Sequence, residues 1–352
     1  MTGNRFSLSE LDIPIVGAPM GGGPSTPALA AAVSNAGGLG FLAAGYLPPD
    51  AVRETLAETR GLTDRAIGLN LFAPPGPRPD PAAIERYVAS LGVEAGRYET
   101  ELGEPRHDDD WFGEKLALVE EERVPIVSFT FGCPSREVMT SLHEPGIAAW
   151  VTVTTPAEAE IAADAGADAL VIQGVEAGGH RGSFDDAAPG EIGLLALLSL
   201  IGARVDLPLV ASGGLATGPA IAAAIVAGAE ACQIGTALMR TPEAGTAPAH
   251  RAALASGRAP TALTRAFTGR LARGIRNRFM VEHGDEAPSA YPELHHVTRP
   301  LRQAAREFDD PEGLHLWAGQ AYALAEERPA AEVVRELAAG ARTALRRTRS
   351  FA

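Results

Sequence analysis

The sequence predicts a (β/α)8 TIM barrel, an α/β fold, with an inserted segment after the third strand and a C-terminal helical extension. Eight apolar runs of strand length recur along the chain, and helical patterns separate most of them. The runs are continuously apolar, as parallel strands are when helices cover both faces of the sheet. Alternation of eight strands with helices favours a closed barrel, with a doubly wound open sheet as the alternative.

The predicted strands are short and end in polar or glycine-rich turns. They cover residues 15–20, 38–44, 66–72, 125–131, 148–153, 169–173, 207–211 and 231–234, and the helical patterns cover residues 27–35, 49–59, 156–165, 190–201 and 219–227. Some of these patterns begin with a helix start signal, such as Thr155 followed by Pro156. The similar segments 165–169 and 227–231 each predict a helix that ends at a glycine and turns into the next strand.

Two segments exceed a minimal barrel. Residues 74–123 form an insertion between the third and fourth strands that begins with a proline-rich stretch. Residues 241–352 follow the eighth strand and are mostly helical by pattern. We therefore divide the chain into a barrel domain of residues 1–240 and a C-terminal helical region of residues 241–352, which we expect to act as a lid over the substrate.

Composition excludes several classes of function. The chain has 352 residues, of which 46% are hydrophobic and 21% are charged, as in globular proteins. Its formal net charge of −14 argues against nucleic-acid binding, which needs a basic face. The two cysteines, Cys133 and Cys232, form no disulfide framework, and we see no metal motif, signal peptide or membrane span. We expect a cytoplasmic protein and leave its oligomeric state open.

One histidine stands in a position typical of catalysis. Residues 173–182 follow an apolar strand and surround His180 with glycines, which let a loop approach a ligand closely. Chemistry in barrels gathers at the carboxyl ends of the strands, and histidine exchanges protons near neutral pH. His180 is therefore the candidate catalytic residue. His295 and His296 are expected in a polar turn at the surface.

The loops after the seventh and eighth strands predict a phosphate site. Barrel enzymes often bind phosphate between these two loops through backbone N–H groups. The corresponding residues here are Gly213, Gly214, Gly235 and Thr236. The pattern indicates a phosphorylated ligand that is held without a cationic side chain.

The chain resembles the nitronate monooxygenases, formerly called 2-nitropropane dioxygenases. The matching segments are residues 18–22, 31–40, 68–72, 127–132, 173–182, 212–214, 233–236, 274–277 and 317–320. The resemblance covers most of the chain except the insertion. It implies an FMN-bound barrel that oxidises alkyl nitronates with O2 to a carbonyl compound and nitrite, with nitroalkanes as further candidate substrates.

The resemblance also implies roles for individual residues. The flavin phosphate would lie on the four residues of the predicted phosphate site. The other implied cofactor-binding residues are Ala18, Pro19, Met20, Gly21, Asn70, Gln173, Gly178, Gly179 and Gln233. His180 would face the flavin, either as an imidazolium that holds a nitronate anion or as a neutral imidazole that removes an α-proton.

Two other functions stay open. Related flavin barrels include enoyl-acyl-carrier-protein reductases and NADH:quinone reductases, which use NAD(P)H. A flavin-binding protein without turnover is the third alternative. The segments 128–132 and 176–182 favour the monooxygenase, and the rate of flavin bleaching by NADPH without oxygen would separate it from a reductase.

Overall fold

The computed structural model describes residues 5–347 and contains the expected closed barrel. The strands of this part of the chain are β1 (Ile15–Gly17), β2 (Leu39–Ala43), β3 (Ile67–Phe72), β4 (Ile126–Thr130), β5 (Ala148–Val153), β6 (Ala169–Gln173), β7 (Gly179–His180), β8 (Leu209–Ser212), β9 (Ala231–Ile234), β10 (Thr261–Thr264) and β11 (Ala272–Ile275). Eight parallel strands close the barrel in the order β1-β2-β3-β4-β5-β6-β8-β9, and β9 pairs with β1. The predicted TIM barrel is confirmed.

Thirteen α-helices lie within residues 5–347, and only some of them cover the outside of the barrel. The thirteen are α1 (Pro27–Asn35), α2 (Pro49–Leu62), α3 (Pro81–Ser90), α4 (Gly92–Arg97), α5 (Phe112–Glu121), α6 (Arg136–His143), α7 (Pro156–Ala165), α8 (Leu194–Gly202), α9 (Gly218–Val226), α10 (Pro248–Ser256), α11 (Arg278–His283), α12 (Glu293–Glu307) and α13 (Ala330–Arg347). The start of α7 shows why these helices form where they do. The Thr155 side chain accepts a hydrogen bond from the Glu158 backbone N–H, and Pro156 occupies the first turn.

The register of the strands brings polar side chains to one end of the barrel. Asn70 on β3 pairs with Ser128 on β4, and Gln173, Ser212 and Gln233 stand side by side on β6, β8 and β9. These positions lie at or beyond the midpoint of each strand, so the barrel interior is apolar below and polar toward its carboxyl end. Parallel pairing therefore gathers polar groups that are far apart in sequence.

The insertion and the C-terminal extension share a second core. Ile84, Tyr87 and Leu91 of the insertion lie in one buried cluster with Leu294 and Val297 of α12. The Tyr87 hydroxyl donates a hydrogen bond of 2.6 Å to the Ala266 carbonyl, which also joins the two segments. This second core lies against the carboxyl end of the barrel, where it walls the cavity described below.

The extension contains two strands that the helical pattern did not predict. β10 pairs with β11, and β11 pairs in turn with β7, so that Ala272 stands opposite His180. Because β10 and β11 are four residues each, they carry too little alternation to be distinguished from short helical turns. The segment that holds His180 is consequently extended backbone in a three-stranded sheet.

Helix α13 returns to the barrel. α13 packs mainly against α9 and also against α1, and its residues Val334 and Leu337 join the core between the barrel and its helices. The chain thus leaves the barrel after β9, builds one wall of the cavity, and comes back to complete the ring of helices. None of the helices within residues 5–347 combines the length and apolarity that crossing a bilayer requires.

Candidate active site

A cavity of about 680 Å³ opens at the carboxyl end of the barrel. Its volume lies in the range of about 300–1,000 Å³ that is usual for cofactor and ligand sites. Every residue for which a site role was predicted lines this one cavity, namely His180, Ala18, Pro19, Met20, Gly21, Asn70, Gln173, Gly178, Gly179, Gly213, Gly214, Gln233, Gly235 and Thr236. Their placement together is a structural fact, whereas their individual roles stay predictions.

Backbone amides line the side of the cavity next to β8 and β9. Gly213 and Gly214 have φ angles of +118° and +69°, in the left-handed region that favours glycine. A Cβ atom on Gly213 would lie 3.0 Å from the Ala177 nitrogen. Within residues 5–347, the N–H groups of Gly213, Gly214, Gly235 and Thr236 donate to no protein acceptor. Unpaired amides that converge in this way form a site suited to an anion.

Two glycines allow a C-terminal segment to approach this side of the cavity. A Cβ atom on Gly178 would lie 2.4 Å from the Gly319 nitrogen, a distance that side chains do not tolerate. The Gly319 N–H donates a hydrogen bond of 3.0 Å to the Thr236 hydroxyl. The segment 317–320, one of the segments that carry the resemblance, therefore forms part of the wall.

Polar side chains at the strand ends hold one another in place. The Asn70 amide donates to the Ser128 carbonyl at 3.1 Å, the Ser128 hydroxyl at 2.9 Å and the Thr130 hydroxyl at 3.0 Å. The Gln173 amide donates to the His180 carbonyl at 3.0 Å and accepts from the Gly182 N–H at 2.8 Å. Gln173 thus fastens the two ends of the histidine loop to each other.

Arg181 supports that loop from the side opposite the cavity, and sequence reasoning missed it. Its side chain is 1% exposed. Its guanidinium donates to the carbonyl oxygens of Gln173, Gly174 and Gly190 at 2.7–3.1 Å, and to the Gln173 side chain at 2.9 Å. In an extended segment neighbouring side chains point to opposite faces, so Arg181 points away when His180 faces the cavity. That alternation was the available signal.

His180 is a neutral imidazole at physiological pH. Its Nε2 atom lies 2.8 Å from the Thr268 hydroxyl, which fixes the orientation of the ring. The surrounding protein removes water from the ring, and this desolvation, together with the positive charges of Arg270 and Arg302, lowers the pKa of His180 to about 3. The arrangement therefore favours the neutral form of the two that the resemblance implied.

Aromatic rings enclose the imidazole. The ring centroids of Phe131, Tyr291 and Trp317 lie 5.8, 5.9 and 5.4 Å from that of His180. Phe131 also has the Arg270 guanidinium 3.9 Å from its ring centre. The wall around His180 is consequently apolar toward a ligand and restricts the access of water.

The C-terminal extension adds cavity residues that the sequence did not reveal. The expectation of a surface position is wrong for His295, which is 7% exposed on α12 and stacks on Tyr46 with ring centroids 3.9 Å apart. Four further cavity residues from the extension are His250, Tyr322, Arg302 and His315. Positions 295, 298 and 302 fall on one face of a helix, but all three are polar, so the sequence pattern gives no signal that this face is buried.

The cavity histidines make stability sensitive to acid. Burial lowers the pKa of His250 to about 4, and burial followed by the Arg302 charge lowers the pKa of His295 and His315 well below the usual value. With His180 these groups stay neutral when folded, but in the unfolded chain they bind protons below about pH 6.5. Their folded pKa values are depressed, so the unfolded state takes up more protons and stability falls as the pH drops below that value.

We expect the free energy of unfolding to fall with acidification by up to about 1.4 kcal/mol per pH unit for each such histidine. Denaturant unfolding measured between about pH 5 and pH 6.5 gives the slope. Because glutamine binds no proton, unfolding of His250→Gln should take up about one proton fewer. Its slope should therefore be smaller than that of the wild type by up to about 1.4 kcal/mol per pH unit. Equal slopes for the two proteins would show that His250 titrates alike in the folded and unfolded chains.

Known proteins resemble this chain over nearly its whole length. A family model described as nitronate monooxygenase matches residues 6–340. A protein named nitronate monooxygenase from Pseudomonas aeruginosa is 42% identical, covering 96% of this chain and 98% of its own. The solved structure of nitroalkane oxidase from Streptomyces ansochromogenes is 48% identical, with a TM-score of 0.92, and the match covers 96% of this chain and 98% of that one. The solved structure of FabK from Thermotoga maritima is 26% identical, with a TM-score of 0.73, and the match covers 98% of this chain and 97% of that one. The chain belongs to the nitronate monooxygenase family of oxidoreductases.

Proposed function

We propose that this protein binds FMN and oxidises alkyl nitronates with O2, giving a carbonyl compound and nitrite. The observation that carries the proposal is a single cavity in which a cradle of backbone amides and a neutral imidazole face the same volume. Relatives named nitronate monooxygenase and nitroalkane oxidase support the same class of reaction.

The residues of the cavity fit a flavin mononucleotide. The unpartnered amides of Gly213, Gly214, Gly235 and Thr236 would hold the phosphate, and a side chain at either of the first two would narrow that space. The ribityl chain and ring would lie along the remaining predicted contacts, which are Ala18, Pro19, Met20, Gly21, Asn70, Gln173, Gly178, Gly179 and Gln233. The bound flavin would supply the electron transfer and the reaction with O2.

His180 would handle the proton. For a neutral nitroalkane, an unprotonated imidazole can accept the α-proton, and the depressed pKa keeps it unprotonated. A nitronate has already lost that proton, so with this substrate the imidazole would only orient the reacting carbon. The Thr268 hydroxyl would keep the ring in position in both cases.

The aromatic wall would select the alkyl part of the substrate. Phe131, Tyr291 and Trp317 surround the imidazole and present little hydrogen-bonding capacity near it. Excluding water there would strengthen the contacts with the charged nitronate group. It would also favour a small aliphatic substrate over a polar one at the reacting carbon.

A reductase is the second candidate, because the flavin barrels that this chain resembles include reductases that use NAD(P)H. A reductase would accept electrons from NAD(P)H, which the monooxygenase does not need. Anaerobic mixing with NADPH separates the two, because rapid bleaching of the flavin would support the reductase. Slow bleaching together with nitrite release would support the monooxygenase. Slow bleaching without nitrite release would leave a flavin-binding protein without turnover.

The decisive test begins with the purified protein. We expect two visible absorption bands of an oxidised flavin, and nitrite release when propionate 3-nitronate is added in air. The released cofactor should be FMN by mass. A colourless protein that does not bind added FMN would overturn the assignment of the cofactor, and a yellow protein that releases no nitrite from any alkyl nitronate would overturn the reaction.

A further inference from the structure

Arg302 is a buried cation in the cavity wall. It lies on α12 and is 9% exposed. Its Nε atom donates to the Thr298 hydroxyl at 3.2 Å, and its Nη2 atom donates to the His295 carbonyl at 2.8 Å. These contacts fix the plane of the guanidinium but bring no negative charge to it.

The charge of Arg302 has no protein counter-ion. In the described part of the chain, no carboxylate forms an ion pair with it, and its Nη1 atom makes no hydrogen bond. Burial lowers the pKa of Arg302 to about 10, and the positive charges of Arg299 and Arg306 contribute in the same direction. A buried guanidinium without a partner is costly, so an anion is the group that this wall lacks.

The remainder of α12 brings two more arginines and one carboxylate, Glu307, to the same wall, and Glu307 forms no ion pair with Arg302 within the described residues. Arg299 and Arg306 also line the cavity, one turn before and one turn after Arg302. By contrast, the nearby Arg265 pairs with Asp186 at 3.2 Å, so an unpaired arginine is not the rule in this region. Arg302 also acts on His180, whose pKa its charge depresses after burial and Arg270.

We propose that Arg302 binds a planar, two-oxygen anion in this cavity, either the nitronate group or a carboxylate carried by the same substrate. The flat guanidinium fork matches two oxygen atoms in a plane. Arg302 stands apart from His180, beyond the rings of Tyr291 and His295, and so is a residue for binding and specificity. The identity of the substrate rests on the proposed function. The binding of an anion by Arg302 does not rest on it.

The test uses the holoenzyme and three probes. Calorimetric titration with sodium propanoate measures binding of a carboxylate without a nitro group. Steady-state kinetics compare 1-propyl nitronate with propionate 3-nitronate. The second has the same number of carbon atoms but ends in a carboxylate where the first ends in a methyl group. We expect Arg302→Met to weaken propanoate binding and raise the KM of a nitronate by about ten- to a hundred-fold, the usual loss for a hydrogen bond to a charged group. Its kcat should change little.

The two kinetic arms identify the bound group. A KM that rises for both nitronates places the nitronate on Arg302, and a KM that rises only for propionate 3-nitronate places the carboxylate there. Arg302→Lys should recover part of the affinity, because it restores the charge without the fork. Arg335→Met, which removes an exposed arginine of α13 away from the cavity, is the matched control and should change neither constant.

Two results would overturn the proposal. One is a wild-type protein that binds propanoate no more tightly than a folded Arg302→Met protein, with folding checked by thermal unfolding. The other is an unchanged KM for both nitronates. If Arg302→Met does not fold, Arg302→Lys takes its place in both comparisons. If no nitronate releases nitrite, the proposed function fails, while calorimetry still decides whether Arg302 binds the anion.

Discussion

Replacing His180 with asparagine should lower the turnover of a nitroalkane by about 10²–10⁴-fold while FMN stays bound. Asparagine can keep a hydrogen bond toward Thr268, but it has no nitrogen that accepts a proton. The depressed pKa leaves the imidazole unprotonated at the assay pH but also weakens it as a proton acceptor, so the loss measures how far His180 acts as a base. Because a nitronate is already deprotonated, its oxidation should fall by less. Nitrite release from nitroethane and from ethyl nitronate measures the two rates, and the visible spectrum measures bound flavin.

The comparison of the two substrates separates removal of a proton by His180 from orientation of the substrate. An equal loss with both would indicate that His180 orients the substrate and removes no proton. Unchanged rates with both would take His180 out of the mechanism. His143→Asn is a suitable control, since that histidine pairs with Asp168 at 3.0 Å on the outside of the barrel and lies outside the cavity.

Replacing Arg181 with methionine should destabilise the protein by about 3–5 kcal/mol and weaken flavin binding. Methionine fills a similar volume, but it leaves three carbonyl oxygens, one buried and two part-buried, without the donor they have now. Gln173, which would contact the flavin, also loses its contact with the guanidinium. Denaturant unfolding gives the free energy, and titration with FMN gives the affinity.

Two variants control the Arg181 prediction. Arg181→Lys keeps the charge and can donate to fewer of the carbonyls, so its stability should fall between those of the wild type and Arg181→Met. Arg335→Met removes an exposed arginine and should change stability by less than about 0.5 kcal/mol. A loss below about 1 kcal/mol in Arg181→Met would mean that water or a shifted backbone replaces the missing donor.

The barrel and the composition of its mouth could be predicted because both follow from local rules. Continuous apolar runs give buried strands, and parallel pairing places the residues after each run at one end. This is why Asn70, Gln173 and Gly213, which lie far apart in sequence, could be assigned to one site before the fold was known.

The wall contributed by the extension could not be predicted in the same way. Nothing local states where α12 packs, so the sequence predicts a surface position for His295 and gives no signal for Arg302. Their place depends on the second core that the extension forms with the insertion. Such contacts join segments about 200 residues apart, and no short pattern encodes them.

The return of α13 to the ring has a consequence for synthesis of the chain. This helix covers the apolar faces of α9 and α1, and it is translated after every strand of the described barrel. A nascent chain that ends before Ala330 would therefore expose the apolar surface of α9 and α1 on an otherwise assembled barrel. Such a truncated product should be held by chaperones and degraded, even though every strand and the whole mouth of the barrel have already been translated.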